Sequence, residues 1–546
     1  MNEIKRLIIP IIFLVLVLLI VNLNFDKNKI DNEYSTLVIF GDNITKSNSK
    51  YEYKPFVKDG GVYVAVETIK NTIDSDIYYD KVATKVIITT PTDVVKLKID
   101  ESKISRNFEY SDISTPALIV NGNPYIDLNL VSDIYNIKID YDEKNNTIVI
   151  DKLENDIAKV KYARVKVYGD IKTDSKILGT LNKDDNVIVY TNSLNHNRWY
   201  KIKTQDNVIG FISKNNIEGI QETSDENSIN NQNENKNNKI TMFWQQGNDL
   251  DVLGKSKIDG VTVVSPSWYE LKTSSGEITS KYSSSYYNMA KEYGYEIWPM
   301  INNGFGSGTG FSTTTTSMLN SEYNRENFIK NLVKTLKEDK VSGINFDFES
   351  MKEEDKDLYS QLIKELAPFL KKENIKLSAD IYFVNYIDRK AVGKVVDYLV
   401  LMGYDQRGDW SSEAGSIAEV SWVENNIDSL INHSKVPASK IILGVPFYTR
   451  LWTEKNGTLS TKIYNMKQCK TFILNNELTP IWDEDAGQNY AETTVGSTKY
   501  KLWLEDELSI KRRVETVNKY SLAGVSGWKK GLETENVWKI IKENMK

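Results

Sequence analysis

Apolar and polar side chains alternate strictly between residues 344 and 349. Asn345, Asp347 and Glu349 occupy every second position, and a large apolar residue precedes each of them. A period of two is the signature of a β-strand, so the three polar side chains are predicted to share one face of that strand. On its own, the pattern also fits an antiparallel strand with one face toward water.

An amphipathic helix is predicted directly behind this strand. From Lys352 to Leu370, leucines stand at positions 358, 362, 366 and 370, and this four-residue spacing gives the helix one apolar face. A strand that leads into a helix is typical of parallel βα architecture, in which strands are usually apolar on both faces. A polar face on such a strand therefore indicates a functional site.

Strand-like apolar runs recur with helical segments between them from Lys239 onward. Eight such runs predict a C-terminal (β/α)8 TIM barrel with insertions over residues 239–546, whose active site lies at the C-terminal ends of the strands. The runs span residues 240–244, 261–265, 297–301, 343–349, 376–381, 398–404, 441–447 and 524–528. The candidate residues at or just after the strand ends are Glu349, Tyr404, Asp405, Tyr448, Arg450 and Trp528.

A basic pair, Lys5 and Arg6, precedes an apolar run over residues 7–21. Residues 1–24 are therefore predicted to form a transmembrane helix, marginally long enough to cross a bilayer. No small-x-small cleavage site follows, which favours an uncleaved anchor over a signal peptide. The positive charge before the run predicts a single-pass protein of the cell membrane with its C-terminal part extracytoplasmic. If the segment is cleaved, the protein is secreted.

Residues 35–152 contain an internal repeat. Tyr63 matches Tyr125, 62 positions later, and the apolar run at 86–88 matches the run at 148–150, so each copy is predicted to form a strand, a short helix and a strand. The repeat resembles the duplicated α+β module at the N-terminus of bacterial copper amine oxidases, which is also a stalk in wall-associated proteins. The resemblance implies a spacer or docking module without copper, because the region contains no His or Cys.

Short β-type runs follow over residues 157–220. Residues 199–202 (Trp-Tyr-Lys-Ile) and 210–212 (Gly-Phe-Ile) resemble pieces of bacterial SH3-like domains. They predict a small β-barrel, with a cell-wall peptide as its partner, although the aromatic side chains fit a plain hydrophobic core equally well. Residues 221–238 are poor in apolar side chains and predict a flexible linker.

Composition narrows the chemistry that the chain can perform. The net charge of −6 argues against nucleic acid as a partner, because phosphate binding depends on Lys and Arg. One cysteine, Cys469, excludes an internal disulfide, and the two histidines, His196 and His433, offer little for a zinc site or a Ser-His-Asp triad. No metal and no cofactor is predicted, so carboxylates and tyrosines are the candidate catalytic groups.

The segment at residues 342–349 resembles the catalytic strand of glycoside hydrolase family 18, whose pattern is Asp-Gly-x-Asp-x-Asp-x-Glu. Asp347 and Glu349 match its last two carboxylates, whereas Ser342 and Asn345 stand where the family has Asp. The resemblance extends over residues 239–546 and is closest to the spore-cortex-lytic branch, in which Asn is common at the position of Asn345. The further motifs are Ser265–Trp268, Met402–Gln406, Gly415–Ala418 with Trp422–Glu424, Gly444–Arg450 and Gly527–Gly531.

This resemblance implies a retaining glycosidase in which the 2-acetamido group of the substrate is the nucleophile. Glu349 would be the general acid, and Asp347 would orient and stabilise the acetamido nitrogen. Tyr404 would donate its hydroxyl to the acetamido carbonyl, and Trp528 would form the floor beneath the sugar that carries the cleaved bond. The further candidates for substrate binding are Asn345, Asp405, Tyr448 and Arg450.

Asn345 changes which carboxyl groups of the strand are expected to be ionised. Side chains two positions apart lie about 7 Å apart, so an ionised Asp347 raises the pKa of Glu349. Because an amide cannot share a proton as a carboxyl does, Asn345 is predicted to hydrogen-bond Asp347 and leave it ionised. Activity is then expected to persist into mildly acidic pH.

The predicted function is hydrolysis of β-1,4 bonds in N-acetylglucosamine-containing cell-wall glycan, with the peptidoglycan of the spore cortex as the first candidate. Chitin is an alternative substrate, because the barrel motifs permit it. A second class of function is a catalytically silent carbohydrate-binding or scaffold protein on the same barrel, since a fold does not dictate function. Such proteins typically lose the acid that Glu349 retains.

Overall fold

The computed structural model describes residues 32–34, 36–44, 53–142, 145–190, 198–221, 239–304 and 309–546. The chain divides into two compact units, residues 1–232 and 233–546. The predicted anchor over residues 1–24 lies outside the described residues, and so does the predicted linker, apart from Gln221 at the end of a strand. No helix within the described ranges is long and apolar enough to span a membrane.

The first copy of the repeat has the predicted order of strand, helix and strand. Strand Gly61–Ala65 leads into helix Val66–Thr72. In the second copy, strand Asn123–Asp127 leads into a 3-10 helix, Leu128–Val131. The two strands pair antiparallel, so the two copies meet along equivalent edges. The second copy differs from the first in having only a short 3-10 helix after its strand.

The described strands of the N-terminal unit form four sheets. One five-stranded sheet contains Asn32–Glu33, Phe56–Lys58, Gly61–Ala65, Asn123–Asp127 and Leu118–Val120, and another contains Glu109–Asp112, Lys103–Arg106, Val94–Lys98, Lys85–Thr89 and Tyr78–Asp80. The four-stranded sheet contains Ile137–Asp142, Thr147–Lys152, Thr36–Ile39 and Asp42–Asn43. The seven-stranded sheet contains Ile177–Leu181, Val165–Tyr168, Ile209–Ser213, Trp199–Lys203, Asn186–Tyr190, Asp156–Val160 and Ile217–Gln221.

The seven-stranded sheet carries all the strands predicted between residues 157 and 220. Its neighbouring strands are antiparallel throughout, and its buried core consists of valine, isoleucine, leucine and alanine side chains. Tyr200 packs against the margin of that core, and the ring of Trp199 lies edge-to-face with the ring of Tyr168 at 5.5 Å. The resemblance to SH3-like domains stays a prediction.

Eight parallel strands close into a barrel in the C-terminal unit, as predicted. In chain order they are β1 (Ile240–Gln245), β2 (Val263–Leu271), β3 (Met300–Asn302), β4 (Gly343–Asp347), β5 (Lys376–Ile381), β6 (Tyr398–Met402), β7 (Ile441–Pro446) and β8 (Gly524–Trp528). Each strand pairs in parallel with the next, and β8 pairs in parallel with β1. Every barrel strand therefore has a partner on both edges.

Helices separate most of the barrel strands, and the helix behind β4 confirms its prediction. It spans Lys356–Lys372 after a 3-10 turn at Glu353–Asp355, and Leu362, Leu366 and Leu370 are fully buried on its apolar face. The other helices of the described C-terminal unit are Leu250–Leu253, Ser284–Glu292, Thr309–Asn320, Glu322–Glu338, Arg389–Val395, Val420–Asp428, Met466–Asn475, Glu507–Lys519 and Val537–Asn544.

An antiparallel sheet is inserted between β7 and β8. Its five strands are Tyr448–Lys455, Thr458–Asn465, Ile481–Asp483, Gln488–Val495 and Thr498–Leu504. The first of them begins two residues after β7 ends, so the inserted sheet continues directly from a barrel strand. The indole N–H of Trp452 donates to the backbone oxygen of Gly415 at 2.8 Å, which ties the inserted sheet to the segment after β6.

Candidate active site

The polar face of β4 points into the barrel. Asn345 and Asp347 are 0% and 4% exposed. On the opposite face, the ring of Phe346 packs edge-to-face with Phe328 of a flanking helix at 6.3 Å. The strand is therefore buried on both faces, and the alternative of an antiparallel strand with one wet face is wrong. Glu349 stands two residues beyond the end of β4 and is open to solvent.

Asp347 and Glu349 form a pair of carboxyl groups that lie close enough for a hydrogen bond between them to act on the pKa of both. Two carboxyls hydrogen-bond to each other only when one of them carries a proton. Burial raises the pKa of Glu349, because protein groups surround its carboxyl although the side chain is open to solvent. The contact with Asp347 opposes this shift, and the charge of Asp405 adds to it. Burial raises the pKa of Asp347 further, and the charges of Glu349 and Asp380 add to it. The pair therefore retains a proton at higher pH than an exposed carboxyl does.

Asn345 does not hydrogen-bond Asp347, contrary to the prediction. Its Nδ2 donates to Oδ2 of Asp380 on β5 at 2.6 Å, and its Oδ1 accepts from the hydroxyl of Ser378 at 2.8 Å. Neighbouring strands are about 4.8 Å apart, whereas alternate residues of one strand are about 7 Å apart, so contacts across strands are shorter. The expectation that Asp347 stays readily ionised is also wrong, since its pKa lies well above the usual range.

Asp380 is a third buried carboxyl, which the sequence analysis missed. It is 4% exposed. Burial raises its pKa, and the hydrogen bond from Asn345 opposes that shift. A signal was present in the sequence, because Ser378 and Asp380 are polar residues at alternate positions of a buried strand, the same period of two that marked β4. A motif confined to one strand cannot show a contact that crosses between strands.

Tyr404 follows β6 and lies inside the barrel mouth. It is 5% exposed, and burial raises the pKa of its hydroxyl well above the usual range, with further contributions from Tyr448 and from the carboxyls. The hydroxyl is therefore neutral and able to donate. Gly444 on β7 leaves room for the ring, since a Cβ at that position would lie 3.3 Å from it.

Asp405 is held by three side chains. The hydroxyl of Tyr448 donates to its Oδ1 at 2.7 Å, the hydroxyl of Tyr382 donates to its backbone oxygen at 2.7 Å, and the guanidinium of Arg450 lies 4.0 Å from its carboxylate. Burial raises the pKa of Asp405, whereas Tyr448 and Arg450 oppose the shift. Tyr448 and Arg450 belong to the first strand of the inserted sheet, so that sheet supplies part of the site.

Trp528 ends β8 and is half-buried. Its ring lies edge-to-face with the ring of Trp244 on β1 at 5.8 Å, and the peptide bond from Trp528 to Lys529 is cis. Trp244 is buried, 1% exposed, and its apolar strand gave no sign of a role at the site. A ring that is anchored along one edge and open elsewhere fits the platform that the sequence analysis assigned to Trp528.

Two tyrosines after β5 also border the site and were missed. Burial, together with the charges of Glu349 and Asp347, raises the pKa of Tyr386 to about 12, and Tyr382 binds the backbone of Asp405. Both lie in a connecting segment whose sequence has no regular period. Within the described ranges, no group of three or more His, Cys, Asp or Glu side chains is arranged to hold a metal ion.

The barrel agrees with a comparison against known families. The model of glycosyl hydrolases family 18 matches residues 230–532, more than half of the chain. The chain belongs to this family of glycosidases. A second match, to the copper amine oxidase N-terminal domain, covers residues 43–150 and confirms the resemblance of the duplicated region.

Individual relatives of this family 18 chain are distant. The uncharacterized glycosylase YvbX of Bacillus subtilis is 26% identical over 283 residues, which cover 50% of this chain and 81% of that protein. The cortical fragment-lytic enzyme of Bacillus subtilis is 23% identical over 242 residues, 41% of this chain and 55% of that enzyme. This chain thus spans little more than half the length of the cortical fragment-lytic enzyme.

A solved structure shows the same fold as the family 18 unit. The chitinase from Chromobacterium violaceum superimposes with a TM-score of 0.50 at 22% sequence identity, covering 56% of this chain and 98% of that chain. Its full length corresponds to little more than half of the present protein. At this identity the likeness establishes the barrel and leaves the substrate to be argued from the site.

Proposed function

We propose that the protein hydrolyses β-1,4 bonds of N-acetylglucosamine-containing cell-wall glycan, with peptidoglycan as its substrate. The observation that carries the proposal is the coupled pair of carboxyls, Asp347 and Glu349, at the C-terminal end of β4. Glu349, the member that is open to solvent, is the one able to reach a glycosidic oxygen. Its raised pKa suits a general acid that works near neutrality.

The closeness of the two carboxyls supports catalysis assisted by the substrate. Retaining enzymes that use two carboxylates hold them about 5–5.5 Å apart across the sugar, and inverting enzymes about 6.5–9.5 Å apart. Asp347 and Glu349 stand two positions apart at the C-terminal end of a single strand, and each acts on the pKa of the other, so they do not flank a sugar from opposite sides. The nucleophile must come from elsewhere, and in this family the 2-acetamido oxygen of the substrate supplies it.

In the proposed step, Glu349 gives its proton to the glycosidic oxygen as the bond from C1 to that oxygen breaks. The acetamido carbonyl oxygen bonds to C1, and the positive charge that develops on the acetamido nitrogen faces the carboxylate of Asp347. The neutral hydroxyl of Tyr404 donates to the carbonyl side of the acetamido group. Water then attacks C1 as the bond from C1 to the acetamido oxygen breaks, which regenerates the acetamido group. One proton of the water goes to Glu349, and the configuration at C1 is retained.

Peptidoglycan is proposed ahead of chitin because of the domain that precedes the barrel and because of the name of one relative. The copper amine oxidase N-terminal-like domain over residues 43–150 suits a stalk in a wall-associated protein, and one relative is named a cortical fragment-lytic enzyme. We also propose that residues 1–24 anchor the protein in the cell membrane with the barrel outside. Chitin is the second candidate, because the barrel has the fold of a chitinase.

The test is digestion of purified peptidoglycan and of chitin by the protein and by its Glu349→Gln variant. We expect the protein to release fragments from peptidoglycan that end in reducing N-acetylglucosamine, identified by mass spectrometry. The variant should bind glycan with little change but lose at least about 100-fold in turnover, the size of general acid catalysis.

Release from chitin alone would replace peptidoglycan by chitin as the substrate. Turnover that survives in Glu349→Gln, or no release from either polymer, would contradict the proposed chemistry. Lys334→Gln is the control, because Lys334 lies on the exposed side of a barrel helix and has no part in the site.

A further inference from the structure

Asp380 on β5 stands beside Asp347 on β4. The two strands pair in parallel with Asn345 opposite Ser378, and the same register two residues further on sets Asp347 next to Asp380. Adjacent strands are about 4.8 Å apart, and both carboxyls are 4% exposed. The charge of Asp380 accordingly raises the pKa of Asp347.

The hydrogen bonds of Asn345 fix which way its amide points. The Ser378 hydroxyl donates to Oδ1, so Nδ2 faces Asp380 and donates to its Oδ2 at 2.6 Å. Asn345 and Ser378 are fully buried, which excludes competition from solvent. A carboxyl that accepts a hydrogen bond from an amide is stabilised in its ionised form.

Among the described residues, no N–H or O–H donates to Oδ1 of Asp347. Burial raises the pKa of Asp380 well above the usual range, as it does the pKa of Asp347, and the charge of Glu349 adds to both shifts. The amide of Asn345 opposes the shift of Asp380. Of these two buried acids, Asp380 is therefore the one whose ionised form an amide N–H stabilises.

The remaining titratable groups around the pair leave Asp380 and Asp405 as the charges that act on it. Asp405 lies after β6, and its charge is partly balanced by Arg450 at 4.0 Å. The others are tyrosines, all with a pKa raised above the usual range and therefore neutral: Tyr359, Tyr382, Tyr386 and Tyr404.

We propose that Asp380 is a positioning residue for glycoside cleavage, whose carboxylate keeps one proton on the pair of Asp347 and Glu349. In the family pattern a carboxyl stands at position 345 of the catalytic strand. Here an amide stands at position 345 and a carboxyl stands at position 380 of the neighbouring strand, with one hydrogen bond joining the two. The inference rests on the proposed function, because it presupposes that Glu349 is the acid.

The test compares pH profiles of kcat/KM for the full-length protein, Asp380→Asn and the double variant Asn345→Asp/Asp380→Asn, on a glycan that the unaltered protein cleaves. The profile of kcat/KM reports the groups of the free enzyme. Removing the negative charge of Asp380 lowers the pKa of the pair, so the alkaline limb of the kcat/KM profile should move to lower pH. The expected shift is about two pH units, the effect of a unit charge about 5–7 Å away at an effective dielectric of about 20.

The double variant returns the carboxyl to position 345 and should bring the alkaline limb back toward that of the unaltered protein. Asp355→Asn is the matched control, because Asp355 is fully buried, binds Thr316 and the backbone of Lys352 and lies outside the site. It should lower thermal stability without moving the limb.

An unshifted limb in Asp380→Asn, with Glu349→Gln inactive, would overturn the role of Asp380 and leave the proposed function intact. Turnover in Glu349→Gln would instead remove the proposed function. If Asp380→Asn fails to fold, the double variant decides alone: an alkaline limb near that of the unaltered protein supports the exchange of carboxyl and amide, and a folded but inactive double variant overturns it.

Discussion

Asp347, Glu349 and Asp380 are three acids in one small volume at the mouth of the barrel, and burial is the largest cause of the raised pKa of each. Water would solvate their charges better than the protein does. A carboxyl that holds its proton more tightly when folded than when unfolded reduces stability once the pH is high enough to ionise it. The burial by which Glu349 is proposed to act as an acid near neutrality therefore also lowers the stability of the fold.

Stability is accordingly expected to fall as the pH rises. The folded state binds more protons than the unfolded state from about pH 4, the ordinary carboxyl pKa, up to the raised values, so the free energy of unfolding declines across that window. Asp380→Asn removes one of the acids and should flatten the decline, which makes the variant more stable than the unaltered protein at neutral pH. Thermal melts at a series of pH values measure both slopes. A decline equally steep in the variant would contradict this account.

The same residues show how far sequence reasoning reaches. Asp347 and Glu349 were found because alternation within one strand is visible in the sequence. The partner of Asn345 was assigned wrongly, since Asp347 is near it along the strand and Asp380 is nearer across the sheet. Which residues lie opposite each other depends on the register between strands, and that register is set only when the barrel closes.

At the scale of elements, the sequence predicted all eight barrel strands, and several of their ends differ. β4 and β6 stop at Asp347 and Met402, two residues before the predicted ends, because the chain leaves the barrel there to form the site. β2 runs on to Leu271, since its last residues pair antiparallel with Ile278–Ser280. The hairpin depends on pairing with a later segment, which a periodic pattern within β2 cannot reveal.

Barrel closure depends on a glycine at the seam between β8 and β1. Gly524 lies opposite Ile240, and a Cβ at Gly524 would fall 1.9 Å from the Ile240 backbone oxygen. That oxygen cannot move away without breaking the pairing that closes the barrel. Gly524→Ala is expected to lower the free energy of unfolding by about 3 kcal/mol or more, at the upper end of overpacking effects.

Denaturant titration of the full-length protein measures the effect of Gly524→Ala. Gly179→Ala is the control, because Gly179 also lies in a strand and a Cβ there meets nothing within 4 Å. Equal stability of the two variants would show that the seam tolerates a side chain.

At the scale of the whole molecule, a family 18 barrel follows a β-rich unit that contains a duplicated domain. The sequence predicted this order, because each part has its own period of strands or of repeats. The sequence did not predict the five-stranded sheet between β7 and β8, because the strand-like segments of this sheet were not distinguished from those of the barrel. That sheet delivers Tyr448 and Arg450 to Asp405, so a complete site requires the insertion.

The proposed membrane anchor over residues 1–24 is tested on the full-length protein. We expect the full-length protein to sediment with membranes after cell fractionation, since residues 7–21 are apolar throughout. A version without residues 1–24 should stay in the soluble fraction and keep its activity on peptidoglycan. Full-length protein in the soluble fraction, or a shortened version that still sediments, would argue against the anchor.

The hydrogen bond between Asn345 and Asp380 has a consequence for how this chain and its descendants can change. Replacing either residue alone leaves the buried cluster with one carboxyl too many or one too few, whereas exchanging both preserves its charge. Positions 345 and 380 are therefore expected to mutate as a couple, so that a survey of related genes would find acid at one position when the other is neutral. Such covariation would indicate that the site requires one carboxylate, which either of the two strands can supply.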